Sequence, residues 1–524
     1  MNGAHACAVA LLAVLLGACS FAPHYKTPDS VPVTSAYAET GDWMAAQPAD
    51  GQSRGAWWSL FQDPQLDALE AKAGDANQDV KAAFARLQQA RAETRIVRAD
   101  LFPTLNAGSS ATRSRTSVNS PRFPPGAAPI GNNFDLEADF SYEFDVWGRV
   151  RNAVASAKAS QQASAADLAT LTLSIQAELA TDYFALRAQD AQQQLLDKTV
   201  ADYTQSLKLT QNLHEGGGAA LADVAQAQAQ LETARTQSAD IRLQRAQSEH
   251  AIAVLLGANP STFHAEPNPL PGEVTPPIID PGLPSSLLER RPDVAAAERR
   301  VAAANARIGV ARAAYFPVFS LAAAAGFDST SSSSWLNAPS RLWSVGPSGV
   351  LTVFDAGRHR AQSAQAKAVY DEQVADYRGA VLTAYREVED SLAALRQLQQ
   401  ESVSEAAAVA ATGTALQQAQ YRYKAGLVTY LEVATTESTA LQAQLSNVSI
   451  QLRRMNASVL LVKALGGGWQ APDSRRRSTA RLFPAEIIRR EFPIGELVDQ
   501  GVDVIHAPVL IVQIIGMFPN VDGQ

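Results

Sequence analysis

The residues that could do chemistry in this chain are few, and the thiols come first. The 524-residue sequence holds 2 cysteines, Cys7 and Cys19. An uncharged run from Ala6 to Leu16 precedes the second. It has the length of a secretory h-region and is too short to span a bilayer as a helix. Leu16-Gly17-Ala18-Cys19 then places small residues at a cleavage position. Cutting there would leave Cys19 as the first mature residue, with its thiol open to lipid attachment. The 7 histidines are scattered and no pair has metal-ligand spacing. There is no G-x-S-x-G, no phosphate-binding loop and no H-E-x-x-H. The glycine triplets at 216–218 and 466–468 lack a following Lys and read as helix ends. Asp145 and Asp355 sit where a strand gives way to a helix and read as turn or capping carboxylates. Two acids share one setting: Asp223 follows Gly217 by six residues, and Glu432 follows Gly426 by six. Each falls at a helix start, where the helix dipole favours a negative charge. The expectation is a protein that is not an enzyme and has no cofactor beyond a lipid on Cys19.

The partners are bounded by composition. A formal net charge of -8 and a pI of about 5.5 exclude nucleic acid as the natural ligand. No segment after the leader offers 18 uninterrupted apolar residues; the best, Val504 to Met517, is broken by His506, Pro508 and Gln513. If the chain crosses a membrane, strands must do it.

The elements that position the two acids are written twice. "DVKAAFARLQQARAETRIVRADLFP" from Asp79 is answered by "DVAAAERRVAAANARIGVARAAYFP" from Asp293, 214 residues later. "FDVWGR" at Phe144 is answered by "FDAGRHR" at Phe354, and "HEGGGAALADV" at His214 by "YKAGLVTYLEV" at Tyr423. Three landmarks in one order at nearly one interval mark a duplicated domain, since the period is far above that of solenoids. The proline-rich link, residues 257–284, reads as an extended belt across a surface. Phe21 to Pro64 has the same Pro/Ser/Gly character.

"FDLEADFSYEFDV", Phe134 to Val146, alternates without a break. Phe134, Leu136, Ala138, Phe140, Tyr142, Phe144 and Val146 lie on one face, and acids with Ser141 on the other. That contrast suits a wall between lipid and water, and suits a soluble hairpin equally. Pro103 to Arg113, Pro317 to Phe327 and Trp343 to Phe354 are weaker strand candidates, and the four are expected as two hairpins, one per copy. Four strands cannot close a barrel, and an open sheet in lipid leaves edges unsatisfied. Pooling by three chains would give twelve.

Val150 to Leu213 contains no Gly or Pro and carries a narrow apolar stripe. Its 64 residues would span roughly 96 Å. Arg358 to Tyr423, 66 residues, repeats the rod with Gly379 and Gly413 as weak points. Shorter helices are expected at Asn77 to Arg98, Ala220 to Leu256, Pro292 to Arg312 and Leu431 to Ala464. In each copy the two short helices, stacked end to end, nearly match the rod. Three chains would then supply twelve columns for twelve strands.

With these motifs the sequence resembles TolC-like outer membrane factors, specifically the NodT-type lipoproteins of tripartite efflux systems. The resemblance runs from about Cys19 to Trp469. It is most specific in "WWSLFQDPQLDALEAKA" from Trp57, "LLERRPDVAAAERRVAAANARIGVARAAYFPVFSL" from Leu287, "FDAGR" from Phe354 and "YKAGLVTYLEV" from Tyr423. It implies a mainly α chain with a β-barrel portion: a trimeric twelve-stranded outer membrane barrel continuous with a twelve-helix periplasmic α-barrel. It also implies passive export of drugs, toxic compounds or metal ions, with a periplasmic adaptor and an inner membrane pump as partners. A homotrimer, lipid-anchored in the outer membrane, is expected, and Ser20 after Cys19 fits sorting there. The resemblance places Glu432 at the closed entrance; Asp223, at the same spacing from its tip glycine, is a second gate candidate, and Tyr423 at the end of the preceding rod is expected to brace the closed state through its hydroxyl. Gly217, Gly426 and Leu427 become the tips that an adaptor would touch. The family's best-known channel carries a second acid three residues on, where this chain has Gln226 and Thr435, a departure that counts against a double ring. The expected organisation is 1–18 signal peptide, 19–76 lipidated arm and equatorial segment, 77–256 first repeat, 257–284 linker, 285–469 second repeat and 470–524 tail. Two other readings fit fewer features: the exit duct of a protein secretion system, and a coiled-coil structural surface lipoprotein. The latter leaves the amphipathic strands unexplained.

Overall fold

A computed structural model describes residues 20–29, 37–38, 54–121, 123, 126, 128–279 and 290–467. Cys19 and the tail from 470 lie outside the described residues. Seven helices and four strands are placed among them. Helix α1 is Pro64–Ala76 and α2 is Gln78–Ala99; strands β1 and β2 are Thr104–Arg115 and Ile130–Phe144; the first rod α3 is Arg149–Glu215, followed by α4, Leu221–Leu255. The second copy gives α5, Pro292–Ala313; β3 and β4, Val318–Ser329 and Arg341–Val350; the rod α6, Arg358–Lys424; and α7, Tyr430–Ala464. Corresponding helices have identical lengths: 67 residues for both rods, 22 for α2 and α5, and 35 for α4 and α7. Among the described residues no helix is long and apolar enough to cross a membrane.

Both copies turn from strand to rod in the same way. Gly148 and Gly357 take positive φ of 76° and 87° at the rods' N-caps, a conformation open to glycine at little cost. Neither glycine has a side chain to cap the rod, so an upstream aspartate does it. Asp145 accepts from the amides of Val150 and Arg151 at 3.0 and 2.8 Å, and Asp355 from those of Gly357 and His359, both at 2.8 Å.

The four strands pair as the two expected hairpins, β1 with β2 and β3 with β4, and the hairpins are joined to each other. They form one antiparallel sheet in the order β1-β2-β3-β4, with β2 pairing β3 over Phe134–Phe144 and Phe319–Ser329. Joining the copies satisfies backbone groups that two lone hairpins would leave open. Strand limits differ from those expected: β2 starts at Ile130, and β4 stops at Val350 rather than Phe354. The chain turns between them and the rod, with Ala356 at a φ of 54°.

Below the sheet the helices form four columns: α2 stacked on α4, then α3, then α5 stacked on α7, then α6. Their main core contains Ala177, Ala180, Phe184, Leu392, Leu398 and Val459. Part of the segment expected as an irregular arm is helical. Arg54–Phe61 is a 3-10 segment that buries Trp57, and Asp63 caps α1 by accepting from the amides of Gln65 and Leu66. Asp63 also accepts from the Tyr183 hydroxyl at 2.8 Å and pairs Arg187 at 2.5 Å, fixing α1 to the first rod. The described part of the linker, residues 257–279, has no helix or strand. It lies as a belt on α3 and α7: Leu270 N–H donates to the Arg187 carbonyl at 2.8 Å, and Asn447 donates to the Gly272 carbonyl at 3.0 Å.

Candidate functional site

Three parts of the structure bear on function: the sheet, the joints between stacked helices, and the turns farthest from the sheet. The sheet has a continuous apolar face. Leu105, Phe140, Ala323 and Val345 stand in line across all four strands, as do Ala107, Ala138, Ala325 and Trp343. Leu105, Val345 and Trp343 are 73%, 61% and 70% exposed, so nothing in one chain covers this face. The opposite face carries Asn106, Asp139 and Ser344 in one row and Ser110, Asp135 and Asp328 in another. An exposed apolar surface backed by an acidic one is the division expected between lipid and a watery lumen. β1 and β4 remain unpaired along their outer edges. Gly326 keeps β2 and β3 together, because a Cβ there would lie 2.1 Å from the Leu136 carbonyl oxygen.

The joints repeat with different chemistry. In the first copy Asn77 accepts from the amides of Asp79 and Val80, capping α2, while its amide nitrogen donates to the Leu255 carbonyl at 2.9 Å at the end of α4. In the second copy Arg291 donates to the Ala464 carbonyl at 3.0 Å, ending α7, and pairs Asp293 and Glu387 at 2.6 and 2.7 Å. One side chain thus serves the orphan carbonyls of one helix and the start of the next. Gly257 and Gly466 close the joints with φ of 63° and 88°. A Cβ at either would meet the backbone oxygen of Ala76 at 2.5 Å or of Arg290 at 2.2 Å. Sequence reading assigned 466–468 to a helix end but gave Asn77 and Arg291 no splicing role. Only the fold brings the two helix ends together.

At the far turns Gly217 and Gly426 have φ of 75° and 70°. The amides of Gly218 and Leu427 donate back to Leu213 and Arg422, at 2.7 and 2.9 Å, completing left-handed caps on the two rods. Leu427 is 72% exposed at its turn. Asp223 accepts from the Ala220 amide at 3.2 Å, a first-turn role within its own helix. Glu432 does more. Its Oε1 lies 2.7 Å from Arg422 Nη1, so it ties the start of α7 to the end of the α6 rod. Both side chains are well exposed, which holds the pair's contribution to stability at about 0–1 kcal/mol. The Tyr423 ring packs edge-on against Tyr430 at 5.6 Å, and its buried hydroxyl has no hydrogen-bond partner among the described residues. Among those residues the ring, not the hydroxyl, holds the turn, by packing.

Residues missed by sequence reading make the other tip contacts. Gln230 on α4 accepts from the Tyr430 hydroxyl at 3.1 Å and donates to the Ala434 carbonyl at 2.7 Å, linking the two short-helix starts. Gln226 and Thr435 line a polar cleft of about 430 Å³ between those helices. Glu437 is only 5% exposed, and burial lifts its carboxyl to about 7; the negative charge of Asp202 adds to the rise, while hydrogen bonds to Gln420 and Ser206 oppose it. Its position in a Thr/Ser/Ala-rich stretch gave no apolar stripe to mark it as inside. In the unfolded chain this carboxyl titrates near 4.5, so the folded state holds its proton longer. The destabilisation is absent below about 4.5, grows as pH rises and is complete above about 7. It reaches at most about 3 kcal/mol. Thermal melts of wild type and Glu437→Gln between pH 4.5 and 8 should diverge as pH rises, with the variant gaining. Parallel curves would mean that Glu437 titrates alike in the folded and unfolded chains, so that burial does not raise its pKa.

Comparison with known proteins gives consistent results. The family described as "Outer membrane efflux protein" matches residues 71–258 and 283–467, one span for each copy. The chain is 34% identical over 468 residues to the toluene efflux pump outer membrane protein TtgF of Pseudomonas putida, covering 87% of this chain and 96% of that protein. It is 32% identical over 466 residues to outer membrane protein OprJ of Pseudomonas aeruginosa, covering 88% and 95%. Among solved structures, the outer-membrane channel OprN superposes with a TM-score of 0.79 at 33% identity, covering 86% of this chain and all of that one.

Proposed function

Since the chain belongs to the outer membrane efflux protein family, we propose that three copies form one passive duct, joined at its periplasmic end to an adaptor and through it to an inner membrane pump. The carrying observation is the open four-stranded sheet, apolar on one face through every strand and continued below by four helical columns. Three such sheets give twelve strands and close every edge; three sets of columns give twelve. The chain supplies no energy of its own and takes its cargo from the pump. The toluene-pump relative favours small organic compounds as that cargo.

The turns at Gly217 and Gly426 form the periplasmic entrance, with exposed Leu427 offered to the adaptor. Glu432 sets the charge there, and Arg422 offsets its carboxylate in the resting state. In planar bilayers the purified trimer should conduct weakly at rest. Arg422→Ala should leave the acids unpaired, raising cation selectivity and sensitivity to trivalent ions, whereas Glu432→Ala should abolish the block. A trimer that adds no conductance with or without these changes would reject the duct. Unchanged block in Glu432→Ala would move the gate elsewhere.

We also infer that Cys19 carries a lipid after removal of residues 1–18. Ser20, its neighbour in sequence, donates to Asn152 Oδ1 at 3.1 Å near the start of the first rod, beside the sheet. Mass spectrometry of the mature amino-terminal peptide should find acyl groups on Cys19; an unmodified peptide refutes this.

A further inference from the structure

A basic cleft lies where the amino-terminal arm crosses the helices just below the sheet. The arm descends along α5. Ala22 sits against Gly309, where a Cβ would come within 2.7 Å of the Ala22 methyl; Asn305 donates to the Pro23 carbonyl at 2.8 Å; and the Tyr25 hydroxyl bonds Glu298. At its upper end Phe21 stacks on Phe316 with centroids 4.4 Å apart, and Trp147 stacks on the same ring at 4.9 Å. The Trp147 indole donates to the Pro317 carbonyl at 2.8 Å, immediately before β3. An aromatic group with its polar edge satisfied, at the end of membrane strands, marks the level of the lipid head groups.

Directly beneath this group the arm, α5 and α6 enclose an open cleft of about 360 Å³. His24, Lys26, Arg312 and Lys367 line it, with Tyr370 and a single acid, Asp371. Among the described residues, Lys26, Arg312 and Lys367 form no ion pair; Arg312 makes one long bond of 3.4 Å to the Phe21 carbonyl. Arg312 is one residue from the sheet end of α5, and Lys367 is nine residues into α6, roughly 14 Å below its start. Three cations against one carboxylate, in a cleft just below the aromatic group of a chain of net charge -8, are out of keeping with the rest of the molecule.

We propose that this cleft binds the phosphodiester head group of an anionic phospholipid from the inner leaflet of the outer membrane. The Arg312 guanidinium and the two ammonium groups meet the phosphate oxygens, and the Tyr370 hydroxyl donates to the head-group oxygens. Asp371 disfavours a second negative charge and gives room for a glycerol hydroxyl. The acyl chains run upward past Phe21 and Trp147. The lipid then fastens the arm to both α5 and α6, independently of any modification of Cys19.

The test uses the whole assembled protein, delipidated in detergent and re-equilibrated with phosphatidylglycerol or with phosphatidylcholine of the same chains. Native mass spectrometry should show phosphatidylglycerol retained selectively. Each of Lys26→Ala, Arg312→Ala and Lys367→Ala should weaken retention about fivefold. Lys26→Ala alone serves if the Arg312 and Lys367 variants fail to assemble, because Lys26 lies on the arm and holds no ion pair among the described residues. Equal retention of the two lipids, or retention unmoved by the substitutions, overturns the proposal. So does binding of inorganic phosphate to the delipidated protein without retention of phosphatidylglycerol, which would make the cleft a free-anion site. The proposal rests on the outer membrane placement of the duct, and bilayer conductance of the same variants separates the two: wild-type conductance with no lipid retention removes the site and leaves the duct standing.

Discussion

Gly466→Ala is expected to destabilise the folded chain by about 2–5 kcal/mol. Two effects add. The residue has a φ of 88°, where a side chain costs about 1–2 kcal/mol. Its Cβ would also come within 2.2 Å of the Arg290 backbone oxygen, and backbone must shift to admit it, at about 1–3 kcal/mol. That shift would break the Arg291 bond to the Ala464 carbonyl and part the α5–α7 column at its joint. Gly257→Ala should act alike in the first copy, because its Cβ would lie 2.5 Å from the Ala76 oxygen. Gly413→Ala is the contrasting case: within the α6 rod, with nothing within 4 Å, it should gain about 0.5–1 kcal/mol. Denaturant unfolding followed by helical circular dichroism measures all three. Equal stability of Gly466→Ala and wild type would show that the joint relaxes without loss.

Ala138→Arg should prevent stable insertion. Ala138 stands near the middle of β2, between Ala107 and Ala325 and in line with Trp343 on the apolar face. A charge at this depth costs about 2–4 kcal/mol, and a symmetric trimer carries it three times. Asp139→Arg, one residue on and facing the acidic side, should be tolerated and should alter only ion selectivity. The readout is the heat-stable trimer recovered from outer membranes. Full recovery of Ala138→Arg would place the apolar face away from lipid.

Part of this was legible in the sequence because it is local. The first rod, with no Gly or Pro over 64 residues, reads as one helix, and a strand that alternates over thirteen residues has two unlike faces. Glycines at 217 and 426 mark turns because only their left-handed φ ends such helices cheaply. Duplication was visible because sequence copies keep their spacing. Matching helix lengths followed from it, and both copies do have rods of 67 residues and short helices of 22 and 35.

What remained hidden depends on partners far apart in the chain. The sequence holds no sign that β2 also pairs with β3 and so joins the two hairpins, because that pairing is made by backbone groups that every residue carries. Asn77 and Arg291 are unlike residues doing one task, splicing a helix end to a helix start, and only the stacking of columns makes the task exist. Glu432 could be located by its spacing from Gly426, but its pairing with Arg422 needed the turn to fold. Glu437 lies one and a half helical turns farther on in a stretch of small and polar residues, where helical periodicity marks no inside. The packing of α7 against the rods buries it, and burial, with the nearby charge of Asp202 adding to it, lifts the carboxyl to about 7.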